Sequence, residues 1–163
     1  MSENMPERIR SLLAVCRREM DYLHRTDRRL FAAPITVSRI RRLPEDDELA
    51  ELAERVDAFV ARFGRLQDTM GGKLFPAFLR LMEETPGAMI ENLDRMERLG
   101  LLESADGWIT IRKLRNRMIH EYASAPEELA DALDAAHEYV PVFRITLDRV
   151  VERIGRRYPE ITR

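Results

Sequence analysis

Apolar side chains recur at intervals of three and four along most of this chain, the spacing of helices with one buried face. Ile9, Leu12, Cys16, Met20 and Leu23 form the first stripe and predict a helix from about Glu7 to Leu30. The pattern lapses from Ala32 to Asp47, where Pro34 and Pro44 bracket the short β-branched run Ile35-Thr36-Val37-Ser38. That stretch is expected to cross the surface as a connector. The stripe resumes with Leu49, Leu52, Val56, Phe59, Phe63, Leu66 and Met70, a second helix from about Glu45 to Met70. Its opening acids, Glu45-Asp46-Asp47-Glu48, complement the positive end of the helix dipole. Gly71-Gly72 is expected to end it, and a short third helix, Lys73 to Glu83, carries Leu74, Phe75, Phe78, Leu79 and Met82.

Thr85-Pro86 reads as the N-cap and first residue of a fourth helix that runs to Leu99, with Gly100 as its stop. A fifth begins near Asp106 to Ile109 and ends at about Ala123. Ser124 and Glu127 then have capping-box spacing, so the last helix is expected to start there. Its stripe, Leu129, Leu133, Ala136, Val140, Phe143, Leu147, Val150 and Ile154, alternates fours and threes without a break. Pro141 lies inside it and is expected to bend it near His137. No internal repeat and no strand pattern appears. The expected fold is all-α, a single domain over 1–163 with an N-terminal helix and connector over 1–44 and a bundle core over 45–158.

Composition narrows the function classes. The chain is 45% hydrophobic and 34% charged, which suits a helical globule, and no apolar run approaches the roughly 18 residues of a membrane span. The polar start, Met1 to Pro6, has no signal-peptide core, and the single cysteine, Cys16, cannot form an internal disulfide. Both point to the cytoplasm, with Cys16 as a packing residue in its stripe. A net charge of −2 argues against tracking along a nucleic-acid duplex but leaves room for a site that grips one or two phosphates. Among its basic residues only Lys73 and Lys113 are lysines.

The chemistry-bearing residues concentrate in Arg115-Asn116-Arg117-Met118-Ile119-His120-Glu121-Tyr122. On a helical wheel centred on Arg115, the residues Trp108, Ile111, Leu114, Met118, Ile119 and Tyr122 fall within about 100° of it. Arg115 thus sits inside an apolar stripe, where its head must reach water, an anion or an acid such as Asp68 or Glu97. His120 lies about 140° round the helix from Arg115, so the two converge poorly within one subunit. Pairing this helix with its copy across a two-fold axis lets Arg115 of one chain approach His120 of the other. Trp108 reads as a core anchor, Phe59 and Phe63 as core or dimer packing, and His137 as structural.

Arg115, Asn116, His120 and Tyr122, in that spacing and late in a helical chain, resemble the HEPN superfamily, and the tyrosine two places after the histidine resembles its HepT branch. The run Arg62-Phe63-Gly64-Arg65-Leu66-Gln67-Asp68 and the leading Trp108 look like this branch too, and the resemblance covers about Asp47 to Tyr158. It implies a bundle of about five to six helices with an antiparallel up-and-down core and an extra N-terminal helix. It also implies a homodimeric, metal-independent endoribonuclease, the toxin of a HepT/MntA type toxin–antitoxin module. The implied catalytic residues are Arg115, Asn116 and His120. Tyr122 would be the residue that an MntA-like nucleotidyltransferase antitoxin adenylylates.

The residue chemistry suits that implication. RNA carries its own nucleophile, the 2′-hydroxyl, and an imidazole exchanges protons near neutral pH. Arginine holds a phosphate in a fork as charge builds on it, and Asn116 is suited to orient the phosphate or His120. The products would be a 2′,3′-cyclic phosphate and a 5′-hydroxyl. No cofactor is called for, and His24, His120 and His137 lack the spacing of a metal site. Two other readings remain at this level. One is a non-catalytic HEPN companion subunit that binds substrate or nucleotide for a nucleotidyltransferase. The other is a plain helical dimer in which Arg115 and His120 make structural pairs.

Overall fold

The computed structural model describes residues 4–121 and 125–163, and every regular element among them is helical. Helix α1 spans Met5–Leu30 and buries Ile9, Leu13, Cys16, Met20, Leu23 and Leu30. The connector is not irregular throughout. Thr36 accepts a hydrogen bond from the Arg39 N–H and caps a short helix, α2, Val37–Arg42. The β-branched run of the connector therefore supplies a helix cap. Ile40 is the residue of α2 that reaches the core.

A 3-10 turn at Asp47–Leu49 leads into α3, Ala50–Thr69, whose stripe from Leu52 to Leu66 is buried as the periodicity predicts. The glycine pair does not end this helix. The backbone continues through a π-turn, Met70–Leu74, straight into α4, Phe75–Leu81. The Phe75 N–H donates to the Met70 carbonyl, five residues back. Pro76 explains the widening: it has no N–H and its ring would collide with the carbonyl four residues earlier, which a π-turn moves aside. Gly71 is buried here because the Trp108 indole covers it; a Cβ at 71 would lie 3.0 Å from Trp108 Nε1.

The next helix, α5, spans Met89–Arg98, later than Thr85-Pro86 predicts. Its start is fixed by side chains on its own first turn. Asn92 accepts from the Gly87 N–H at 2.8 Å and donates back to the Gly87 carbonyl at 3.1 Å, while Glu91 accepts from the Ala88 N–H. Three bonds to the backbone at Gly87 and Ala88 outweigh the local preference of Thr85-Pro86. Gly100, with φ +77°, ends the helix as expected, and the Leu101 N–H turns back to the Met96 carbonyl.

Helix α6, Ala105–Glu121, is the motif helix. Ser104 caps it by accepting from the Gly107 N–H at 2.9 Å, and Glu97 accepts from the Ala105 N–H at 3.1 Å. Glu97, one of the two acids suggested for Arg115, is thus committed to the helix start. Helix α7, Pro126–Arg157, is unbroken through Pro141, and its whole stripe from Leu129 to Ile154 is buried. Proline rather than a side-chain cap opens it; Ser124, the predicted cap, lies outside the described residues. A last turn, α8, Pro159–Thr162, tucks Ile161 against the core.

One cluster of buried residues extends from Ile9 to Ile161. Its centre is aromatic: Trp108 is fully buried with Phe75 at 4.9 Å and Phe143 at 5.5 Å between ring centroids, and Phe63 meets Phe143 at 5.1 Å. α1 packs along α3, α7 packs along α6, and α6 also meets α3 and α5. The first helix is therefore part of the core and not an appendage. Cys16 is buried among these helices, and burial pushes its thiol up to about 12, with Glu19 adding to the shift. His137 is structural, as read: Nδ1 lies 2.6 Å from Asp27 Oδ1 and the ring stacks on Phe31 at 4.1 Å.

Candidate functional site

Where α6 crosses α3, two features fix Arg115. The first is Gly64, which is buried, so the arginine stem lies directly on the α3 backbone. A Cβ at 64 would come within 3.1 Å of Arg115 Cγ and 3.2 Å of Nε. The second is a pair of hydrogen bonds at the guanidinium. Arg115 Nη2 donates to Asp68 Oδ2 at 3.3 Å, and Nη1 donates to Asn116 Oδ1 at 3.2 Å. Nε is buried without a partner. The side chain is about one-third exposed, 34%, so the stem is embedded while the fork faces outward.

Asp68 sits one helical turn after Gly64 on α3, so one face of one helix supplies both the space and the counter-charge. Of the two acids that the apolar stripe suggests for Arg115, Asp68 is the partner. Gly64 is the residue that sequence reasoning undervalued. A glycine inside a strong helical stripe, one turn from an acid, marks a close approach by another side chain.

The site opens into a groove of about 690 Å3 between α3 and α6. Val60, Ala61, Met118 and Ile119 make its apolar surface, and Asp57, Arg65, Asp68 and Arg115 its charged surface. Ile119 is 49% exposed there, one of the few large apolar side chains open to solvent. The volume falls within the roughly 300–1,000 Å3 range of small-ligand sites.

His120 is exposed on the outward face of α6 and makes no hydrogen bond or ion pair among the described residues. Arg115 and Asn116 are brought together; His120 stands on a different face from the Arg115 fork, as the wheel anticipates. Asn116 orients Arg115, not His120. Tyr122 lies outside the described residues. No group of three or more potential metal ligands occurs among the described residues, and none of the helices is long and apolar enough to cross a membrane. No protein family, no curated protein and no solved structure matches this chain.

Proposed function

We propose that this chain is a HEPN-type, HepT-like endoribonuclease, acting as the toxin of a toxin–antitoxin module and working as a homodimer without a metal. The observation that carries the reading is Arg115 itself: a guanidinium seated over Gly64, aimed by Asp68 and Asn116, with its fork open to solvent. An arginine fixed in this way is pre-oriented for a phosphate, which is how a positioned cation lowers the barrier to phosphoryl transfer. The bonds to Asp68 and Asn116 are long enough, at 3.2 Å or more, to yield to a phosphate dianion or diester oxygen.

In this mechanism His120 removes the proton of the RNA 2′-hydroxyl, and the 2′-oxygen attacks the adjacent phosphorus. Arg115 stabilises the charge on the phosphoryl oxygens. The bond to the 5′-oxygen breaks, and that oxygen takes up a proton, leaving a 2′,3′-cyclic phosphate and a 5′-hydroxyl. Because Arg115 and His120 point to different faces of α6, the complete site requires Arg115 of one subunit and His120 of its partner. Tyr122, two places after His120 in the sequence, is the residue adenylylated by an MntA-like nucleotidyltransferase antitoxin. The added phosphate places negative charge beside the site and repels RNA.

The test is cleavage of single-stranded RNA by the purified protein in EDTA, compared with His120→Ala. Cleavage by the wild type, loss in the variant and no action on DNA of the same sequence are expected. Equal cleavage by His120→Ala contradicts the assignment. RNA binding without cleavage favours the companion-subunit reading. Coexpression with such a nucleotidyltransferase and ATP is expected to add one nucleotide's mass at Tyr122; an unmodified intact mass contradicts that part.

A further inference from the structure

The outward face of α6 carries a second charged feature beside the Arg115 fork. Between Gly107 and His120 the sequence has no acidic residue, yet it holds Arg112, Lys113, Arg115 and Arg117. Arg112, Lys113, Asn116, Arg117 and His120 are all exposed. Among the described residues Arg112, Lys113 and Arg117 are in no ion pair and no hydrogen bond. The contrast with the connector is informative: there Arg41 pairs with Glu127 and Arg42 with Asp46. In a chain with net charge −2, a basic stripe that is unpaired among the described residues and has no acid between Gly107 and His120 is a local feature and not a consequence of overall composition.

Dipole complementation does not account for it. Cations favour the last turn of a helix, but Arg112 and Lys113 lie about two turns before the end of α6. Their register shows what the stripe fits. Around the wheel the order runs from the groove edge at Arg115 and Ile119, through Arg112, Asn116 and His120, to Lys113 and Arg117. Lys113 and Arg117 are separated by one turn, about 6 Å along the axis. Cations therefore flank Asn116 and His120 on both sides, and the apolar groove opens on one edge.

We infer that the outward face of α6 is a track for the phosphodiester backbone of single-stranded RNA, with Arg112, Lys113 and Arg117 holding phosphates on either side of the Asn116–His120 pair. The identity of the polyanion rests on the ribonuclease reading; the stripe itself rests on the charge placement. A single strand fits better than a duplex, because its unpaired bases are free to enter the groove over Val60, Met118 and Ile119. The same groove carries Asp57 and Asp68, which accept hydrogen bonds from base N–H groups but repel a second phosphate backbone.

The test uses a labelled 2′-O-methyl oligouridylate, which has no free 2′-hydroxyl and is not cut, with anisotropy read across a salt series. For the triple variant Arg112→Gln, Lys113→Gln, Arg117→Gln, the slope of log affinity against log salt is expected to fall by about 2, and binding at 0.1 M salt to weaken at least ~10-fold. A matched variant, Arg18→Gln, Arg25→Gln, Arg28→Gln, removes three exposed charges from α1 and is expected to leave the slope near its wild-type value. Circular dichroism and melting temperature unchanged in both variants exclude misfolding, and Arg117→Gln alone supplies the readout if the triple variant misfolds. An unchanged slope in the α6 variants overturns the inference, as does an equal loss in the α1 variant. So does displacement of the probe by polyglutamate at lower concentration than by unlabelled RNA, which marks an acidic protein as the occupant. Wild-type protein that fails to cut RNA but keeps the α6-dependent slope refutes the ribonuclease reading alone. Cleavage with no α6-dependent slope refutes the track alone.

Discussion

Replacing Gly64 with alanine separates the stability of α3 from the pose of Arg115. The added Cβ would lie 3.1 Å from Arg115 Cγ and 3.2 Å from Nε, so the arginine must give by a few tenths of an ångström. Two contributions to stability oppose each other. Alanine in place of glycine inside a helix gains about 1 kcal/mol. The pair between Arg115 and Asp68, with side chains 34% and 57% exposed, is screened by water and contributes at most about 1 kcal/mol. The clash is with a long side chain that has open groove beside it, so it relaxes without moving backbone. Net stability is therefore expected to change by no more than about 1 kcal/mol, a melting shift within ~4 °C for a domain of this size. The site is far less tolerant. On the ribonuclease reading, a displacement of the guanidinium approaching 1 Å is expected to cost on the order of 100-fold in turnover, or about 2.7 kcal/mol of transition-state stabilisation. Thermal melting by circular dichroism and turnover of a fluorogenic RNA in EDTA read the two quantities independently. Full turnover with an unchanged melt refutes the claim that Gly64 exists to seat Arg115. A melting drop beyond about 8 °C refutes the claim that the arginine alone absorbs the contact.

The adjacent glycines of the π-turn are expected to respond with opposite signs. Gly72→Ala meets nothing within 4 Å and should stabilise by up to ~1 kcal/mol, whereas Gly71→Ala presses on Trp108 Nε1 at 3.0 Å and should destabilise by about 1–3 kcal/mol; urea unfolding of both distinguishes them. Burial raises the carboxyl of Glu19 above its usual range, and Asp68 adds to this against the opposing pull of Thr69, Arg65 and Lys73. A raised folded-state value for an acid means that stability is lost as pH rises through it. Glu19→Gln is therefore expected to stabilise the protein at neutral pH, with the gain vanishing in acid below the usual carboxylate range. A gain that persists unchanged at low pH contradicts this account of Glu19.

Helix periodicity carried most of the architecture because buried stripes are long and redundant. All eight stripe residues of α7 are buried, and the helix runs on through Pro141. Local punctuation was less dependable. Gly71-Gly72 is a weak helix segment in isolation, but Met70, Leu74 and Phe75 are fully buried and hold the run together. Thr85-Pro86 has the chemistry of a helix start, yet Glu91 and Asn92 cap the backbone two to three residues later. In the connector, Thr36 is β-branched and also a capping residue, and only the second property is used. At the site, the sequence identified Arg115 as an oddity in an apolar stripe and offered Asp68 as its partner. Choosing Asp68 over Glu97 required knowing that Glu97 is occupied at the start of α6. The role of Gly64 depends on which helix lies across it, which no spacing along the chain encodes.

The most direct test of the central claim is complementation between two inactive subunits. Differently tagged Arg115→Ala and His120→Ala chains, coexpressed and purified as a heterodimer, retain one intact composite site of two. About half of the wild-type turnover per dimer is expected in EDTA. The reciprocal heterodimer, wild type paired with an Arg115→Ala/His120→Ala chain, retains no composite site and is expected to be inactive. The opposite pattern, an inactive first heterodimer and a half-active second, places Arg115 and His120 of one subunit in the same site and contradicts the account.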